Sequence, residues 1–332
     1  MNSRETRFIL TAYGLPHVMG YLATRNGKPH PQPLTPVGLM DEAVKFGLAG
    51  VEFPLSSLET SYIDSMRDAL DSRGLLVVTD YMVLVDGDCE RLRDFLKASA
   101  RLGAKVARAI MSTILCGDRR PLAGGWEARL EAVASRLREV LPLAQDLALS
   151  LALENHQDAT TDDFIRLYET SGMSPAFGVT LDTGNPLSVG EEPVEAARRL
   201  APLIRHLHLK DYTIHFAPEG YRLVRCAAGR GVIDFPAILD IVCGNGTTVT
   251  PGIEIAAQPT RTVPLLEAGW WACYPRRDAH ELAMALKILW ASGRPVDEPY
   301  SSAWERGDPS EVVAQEEWRL VRESVEYFKT RR

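Results

Sequence analysis

The sequence predicts a (β/α)8 TIM barrel with a C-terminal helical extension, and three observations predict it. Eight short apolar runs alternate with segments of helical period. Four successive runs end in or carry carboxylates or imidazoles. No Gly-rich phosphate turn follows an early strand, as a doubly wound open sheet usually shows, so that alternative ranks second.

The expected strands are Phe8–Tyr13, Gly50–Pro54, Leu75–Asp80, Lys105–Ile110, Leu149–Glu154, Phe177–Asp182, Ile204–Leu209 and Val249–Ile255. Most are apolar nearly throughout, as parallel strands covered on both faces must be. Helices are expected at Thr35–Phe46, Leu58–Ser72, Cys89–Leu102, Trp126–Asp146, Thr161–Thr170, Pro193–Leu200, Phe235–Val242 and Asp278–Ala291. In the longest, Leu130, Val133, Leu137, Leu141 and Ala144 step by three and four and form one core-facing stripe. Thr35 before Pro36, and Asp234 before its helix, read as N-caps. These elements make a barrel of residues 1–291. Residues 292–332 read as an extension with one helix, about Ser310–Phe328, whose Val313, Leu320, Val321, Val325 and Phe328 share a face. That face covers the barrel or a second subunit, so a homo-oligomer is one expectation.

Composition narrows the function. A net charge of -7 argues against a nucleic-acid partner, which needs clustered Lys and Arg. The five cysteines are far apart with no CxxC pair, which suits reduced thiols in a reducing compartment. No window approaches the ~18 apolar residues of a membrane span, and the first residues do not read as a signal peptide. The expectation is a cytoplasmic protein acting on a small molecule.

Chemistry in a barrel sits where strands end at the carboxyl face. Strand five ends in Glu154-Asn155-His156, strand six in Asp182-Thr183-Gly184-Asn185, and strand eight at Glu254. Strand seven carries His206, His208, Lys210 and Asp211. Carboxylates in such apolar surroundings are costly unless paired or bound to metal. One divalent cation satisfies Glu154, Asp182, His208 and Glu254 together. Three carboxylates and an imidazole suit Mn2+, Mg2+, Co2+ or Zn2+. His206 fits a packed or supporting role better than a ligand's. Glu52 either lines the pocket or is structural, and Trp270 and Trp271 either wall a sugar site or pack.

The strings LALENH, VTLDTGNP, HLHLKDY and GIEI resemble those of the xylose-isomerase-like TIM-barrel superfamily of sugar phosphate isomerases and epimerases, in its order and strand spacing. Members similar to this sequence include inosose dehydratases, hydroxypyruvate isomerases and ketose epimerases. The resemblance implies a metal, Mn2+ first, held by Glu154, Asp182, His208 and Glu254, with Glu154 and Glu254 doubling as the catalytic acid/base pair. It implies an isomerase or epimerase of carbohydrate metabolism that works through a metal-stabilised enediolate. A dehydratase of a keto-inositol-like substrate is the second expectation, and an AP-endonuclease-like repair enzyme a remote third. Substrate contacts are expected from His156, Asn185, Lys210 and Trp271. Some family epimerases carry His in place of Asn185 and Arg in place of Ile214, a departure that argues against a ketohexose 3-epimerase.

Overall fold

A computed structural model describes residues 6–244, 249–255, 259–296 and 300–330. The outermost ends of the two predicted segments, 1–5 and 331–332, lie outside these. The first seven strands are β1 (Ile9–Thr11), β2 (Gly50–Pro54), β3 (Leu76–Val83), β4 (Val106–Ile110), β5 (Ser150–Glu154), β6 (Phe177–Asp182) and β7 (Ile204–Leu209). A hairpin of β8 (Asp211–Ala217) and β9 (Gly220–Cys226) intervenes before β10 (Thr250–Ile253), which closes the barrel between β7 and β1. The eight barrel strands pair in parallel around a closed ring.

The helices follow the prediction to within a residue or two. They are α1 (Pro36–Lys45), α2 (Thr60–Asp71), α3 (Cys89–Leu102), α4 (Gly125–Asp146), α5 (Thr161–Thr170), α6 (Pro193–Leu200) and α7 (Phe235–Cys243). Thr35 and Asp234 cap as expected, their side chains accepting from the backbone N–H of Gly38 and Ala237. The α4 stripe is buried throughout.

Beyond the barrel strands the structure adds elements not anticipated. The strands β11 (Arg261–Val263) and β12 (Gly293–Arg294) flank the hairpin in a second sheet ordered β11-β9-β8-β12. The short α8 (Ala268–Trp271) and α10 (Ala303–Arg306) are also new, whereas α9 (Ala279–Ser292) and the terminal α11 (Ser310–Lys329) match the helices expected at Asp278–Ala291 and Ser310–Phe328. The α9 helix packs against β8 and β12 of this second sheet. It is α11 that lies against the barrel, next to β10: Phe328 stacks on Phe8 at 4.9 Å and meets Phe235 edge-on at 5.2 Å. Its predicted apolar face is thus covered by the chain's own barrel. No described helix is long and apolar enough to cross a membrane.

Polar contacts fix α11 as well. Glu317 is fully buried and accepts from the backbone N–H of His17 and Val18, at 2.9 and 3.0 Å. His17 is held in turn by Leu22 O and Ser310 Oγ, which makes it a structural histidine. Burial pushes the Glu317 carboxyl up to about 8, against the pull of the two N–H groups. A carboxyl raised in the folded state stabilises fully below its ordinary 4.5, and the contribution is lost as pH rises through 8. Glu317→Gln is therefore expected to flatten the fall in melting temperature between pH 5 and 9. Glu317→Leu, which orphans two buried donors, is expected to cost about 2–4 kcal/mol at any pH, read by chemical denaturation.

Candidate metal centre

Strand register brings the predicted ligands together. Asp182, the last residue of β6, pairs beside His208 of β7, and Gly252 of β10 lies on the other side of His208. Glu154 ends β5, and Glu254 directly follows β10. All four side chains are buried, and one donor atom from each lies within 4.8 Å of the others. The convergence follows from the alternation of strand residues: with His206 and His208 facing inward, Leu207 and Leu209 pack outward in the core.

The tautomer of His208 is set from below. Glu52, in the middle of β2, receives the Nε2–H groups of both His206 (2.8 Å) and His208 (2.9 Å). Nδ1 of His208 therefore faces the other carboxylates, 2.5 Å from Glu254 Oε2 and 3.5 Å from Glu154 Oε1. Neither contact has hydrogen-bond geometry, so this buried nitrogen has no hydrogen-bond partner among the described residues. A carboxylate behind an imidazole that offers its other nitrogen is how metal-binding histidines are commonly oriented. Burial opposes an imidazolium here. Glu254, Glu52 and Glu154 outweigh it and raise His208 well above the usual histidine range.

A cation was missed by reading strand ends alone. Arg108 sits in the middle of β4, buried, and its guanidinium bridges Asp80, Glu154 and Glu52. An arginine inside the apolar run Val106–Ile110 was the available signal. Lys210 plays the matching part at the rim, its ammonium on Asp182 and, at 2.9 Å, on Glu254. Burial alone would raise both glutamates. Arg108 and His208 bring Glu154 well below the usual carboxylate range, and His208 and Lys210 lower Glu254 to about 2. Asp182 goes the other way, to about 6, because burial and the neighbouring Glu254 and Glu154 outweigh Lys210.

Charge decides what the site wants. Five buried carboxylates (Glu52, Asp80, Glu154, Asp182, Glu254) face two buried cations (Arg108, Lys210). Counted as fully ionised they leave three negative charges in an apolar barrel mouth, where uncompensated charge is strongly disfavoured, and burial accordingly raises Asp80 well above the usual carboxylate range. A proton on His208 offsets one; a divalent cation would offset two, with Nδ1, set between Glu154 and Glu254, as a ligand in the proton's place. The donor set of three carboxylates and one imidazole fits Mn2+, Mg2+, Co2+ or Zn2+. These four buried residues could hold one divalent cation.

The other expected contacts fall in two groups. His156 lies past the end of β5, within electrostatic reach of Glu154, Lys210 and Glu254, with a buried Nδ1 that lacks a described partner. Asn185 donates its backbone N–H to Asp182 Oδ1 at 3.2 Å, and its amide Nδ2 is likewise buried without a described partner. Trp271 is placed differently. Its indole N–H donates to Leu265 O at 2.7 Å, and its ring packs on Trp270 and Tyr274 with Arg277 6.0 Å above. Asp211 is structural: its carboxylate accepts from the backbone N–H of Tyr212, Gly229, Gly231 and Ile233 and pins the segment after the hairpin. A Cβ on Gly231 would stand 2.2 Å from that carboxylate, so the close approach requires glycine.

Comparison with known proteins agrees with this architecture. The family model described as xylose isomerase-like TIM barrel matches residues 40–264, about two-thirds of the chain. The chain is similar to the 3-oxo-isoapionate decarboxylase of Pectobacterium atrosepticum, 30% identical over 122 residues, or 36% of this chain and 43% of that one. It is also similar to the inosose dehydratase of Clostridium botulinum, 26% identical over 153 residues, or 42% of this chain and 51% of that one. These matches thus span about half of each relative or less. Among solved structures, a xylose isomerase-like TIM barrel protein from Mycobacterium smegmatis in complex with magnesium superposes with a TM-score of 0.56 at 17% identity. That superposition covers 88% of this chain and 99% of the other. The chain belongs to the xylose isomerase-like TIM barrel family.

Two outcomes check the charge balance. Glu52→Gln is expected to weaken Mn2+ binding about 10–100-fold, measured by chelator competition, because His208 loses the anion that orients it. Arg108→Met leaves Asp80 and Glu154 without their cation and is expected to cost about 3–5 kcal/mol in chemical denaturation.

Proposed function

We propose that this member of the xylose isomerase-like family is a divalent-metal-dependent isomerase or epimerase of a small carbohydrate or polyol. Glu154, Asp182, His208 and Glu254 hold the metal, Mn2+ by preference, with Mg2+, Co2+ or Zn2+ as alternatives. Glu154 and Glu254 are the acid/base pair. One observation carries the reading: two glutamates from strands separated by β6 and β7 converge on the same nitrogen of His208.

When bound, the cation supplies a Lewis acid that polarises a substrate carbonyl and neutralises charge developing on its oxygen. The chain's own groups do the rest. One glutamate takes the proton α to the carbonyl, and an enediolate results. The other glutamate, starting protonated, gives its own proton to the opposite face, which inverts that carbon, or the first returns the abstracted proton to the neighbouring carbon, which isomerises the sugar. Lys210, already on Asp182 and Glu254, is placed to donate to a substrate oxygen beside them. His156 and Asn185 each offer a buried nitrogen to substrate hydroxyls. Trp271 spends its N–H on Leu265 O, so a substrate contact from it would be through the ring.

A second reading, a lyase, is supported by the relatives whose names state an activity, a decarboxylase and a dehydratase. Both reactions build negative charge next to a carbonyl, so the same site serves them. Product analysis separates the readings.

The test is hydrogen exchange. The Mn2+-loaded protein is incubated in D2O with ketoses, aldoses and keto-inositols, and NMR follows deuterium at the α carbon. Exchange is expected to require metal and to fall at least about 100-fold in Glu154→Gln and in Glu254→Gln. Exchange that persists in both variants contradicts the acid/base assignment.

A further inference from the structure

Two arginines at the edge of the metal centre, Arg225 buried and Arg261 half-buried, have no carboxylate partner among the described residues. Arg225, on β9, is 8% exposed; it pairs across the hairpin with Tyr212 and places its guanidinium 5.9 Å from the Tyr212 ring centroid. Its Nη1 donates to Pro259 O at 3.2 Å, while its Nε is buried with no partner. Arg261 opens β11 opposite Leu223 of β9, so it lies along the same sheet. Its Nε is also buried and unpartnered, and among the described residues its side chain has no hydrogen bond or ion pair. Burial, together with the like charge of Arg225 nearby, pulls Arg261 below the ordinary guanidinium range. Arg108 and Lys210 have carboxylate partners; among the described residues the buried Arg225 and the half-buried Arg261 have none.

Among the described residues, no carboxylate pairs with either arginine. Glu305, the carboxylate that acts on Arg261, accepts from Thr260 Oγ1 at 2.7 Å and from the backbone of Ser302, and pairs with Arg222 at 3.4 Å. Cys116, which senses both arginines, is pushed up by burial to about 11 and stays a neutral thiol. The pair nevertheless connects to the reacting end of the site. Tyr212 Oη donates to Asn185 Oδ1 at 3.5 Å, and Asn185 donates to Asp182.

We infer that Arg225 and Arg261 form an anion subsite beside the metal centre, and that the substrate is an acidic sugar derivative whose carboxylate or phosphate docks there. A guanidinium fork binds either group through paired charge-assisted hydrogen bonds. The planar donors that now lack partners would be satisfied by the ligand. The inference rests on the reading that Glu154, Asp182, His208 and Glu254 hold the reacting end. It adds that the other end is charged, a property the metal centre does not require.

The test is calorimetric binding to the Mn2+-loaded protein with three probes: D-gluconate, D-glucose 6-phosphate and the neutral D-glucitol. One of the anions is expected to bind at least about tenfold tighter than glucitol, the scale of one charged hydrogen bond, and the preferred anion identifies the source. Arg225→Gln and Arg261→Gln are each expected to erase most of that preference with an unchanged melting transition, and Arg225→Lys to retain part of it. Equal affinity for glucitol in the native protein overturns the inference whether or not the variants fold. So does an anion preference that vanishes with the metal but survives both Gln variants, since the anion would then sit on the metal. Anion preference without α-proton exchange on any acid would retain this subsite and remove the isomerase reading. Exchange on neutral ketoses without anion preference would do the reverse.

Discussion

The structure depends on how a surplus of buried negative charge is held at one end of the barrel. Arg108 is the centre of that arrangement. From the middle of β4 it reaches carboxylates delivered by β2, β3 and β5, so one guanidinium ties together half the ring. Above it, His208 stands between Glu52 below and Glu154 and Glu254 above. Such an assembly contributes little net stability, because desolvating each charge offsets much of the attraction. What it provides is position. Removing any one member leaves charges with no water to turn to, so the members hold one another in place.

The additional sheet extends this logic outward. Lys210 and Asp211 are adjacent in sequence but face different tasks. Lys210 returns to the carboxylates, while Asp211 collects four backbone N–H groups and fixes the segment that follows the hairpin. That anchorage holds Tyr212 against Gly184, where a Cβ would meet the ring at 2.4 Å. Tyr212 in turn sets the distance between the metal centre and Arg225.

Much of this was legible in the sequence, for identifiable reasons. Strands β2, β6 and β7 were read to the residue because each apolar run is bounded by a turn signal or a charge. The first strand was read too long, since Ala12–Gly14 turns into a 3-10 helix capped by Thr11. The third was read too short, because it continues past Asp80 through a register shift to Val83. The hairpin escaped notice although Tyr212, Ile214 and Phe216 alternate with polar neighbours and Pro218-Glu219-Gly220 marks its turn. The eight barrel strands are complete without it, and its strands pair antiparallel outside the barrel. Glu52 was left undecided and Arg108 overlooked because their parts depend on which strands are neighbours, and one strand read alone does not contain that. The terminal helix showed its apolar face clearly in sequence; that Phe8 and Phe235 would cover it required the closed barrel.

The account stands on one claim, that the surplus charge is closed by a single divalent cation at His208 Nδ1. Anomalous diffraction at the manganese edge, from crystals grown with Mn2+, addresses it directly. The account predicts one peak about 2.0–2.3 Å from donor atoms of Glu154, Asp182, His208 and Glu254. No peak there, or a peak bound instead by Glu52, His206 and His208, would contradict it.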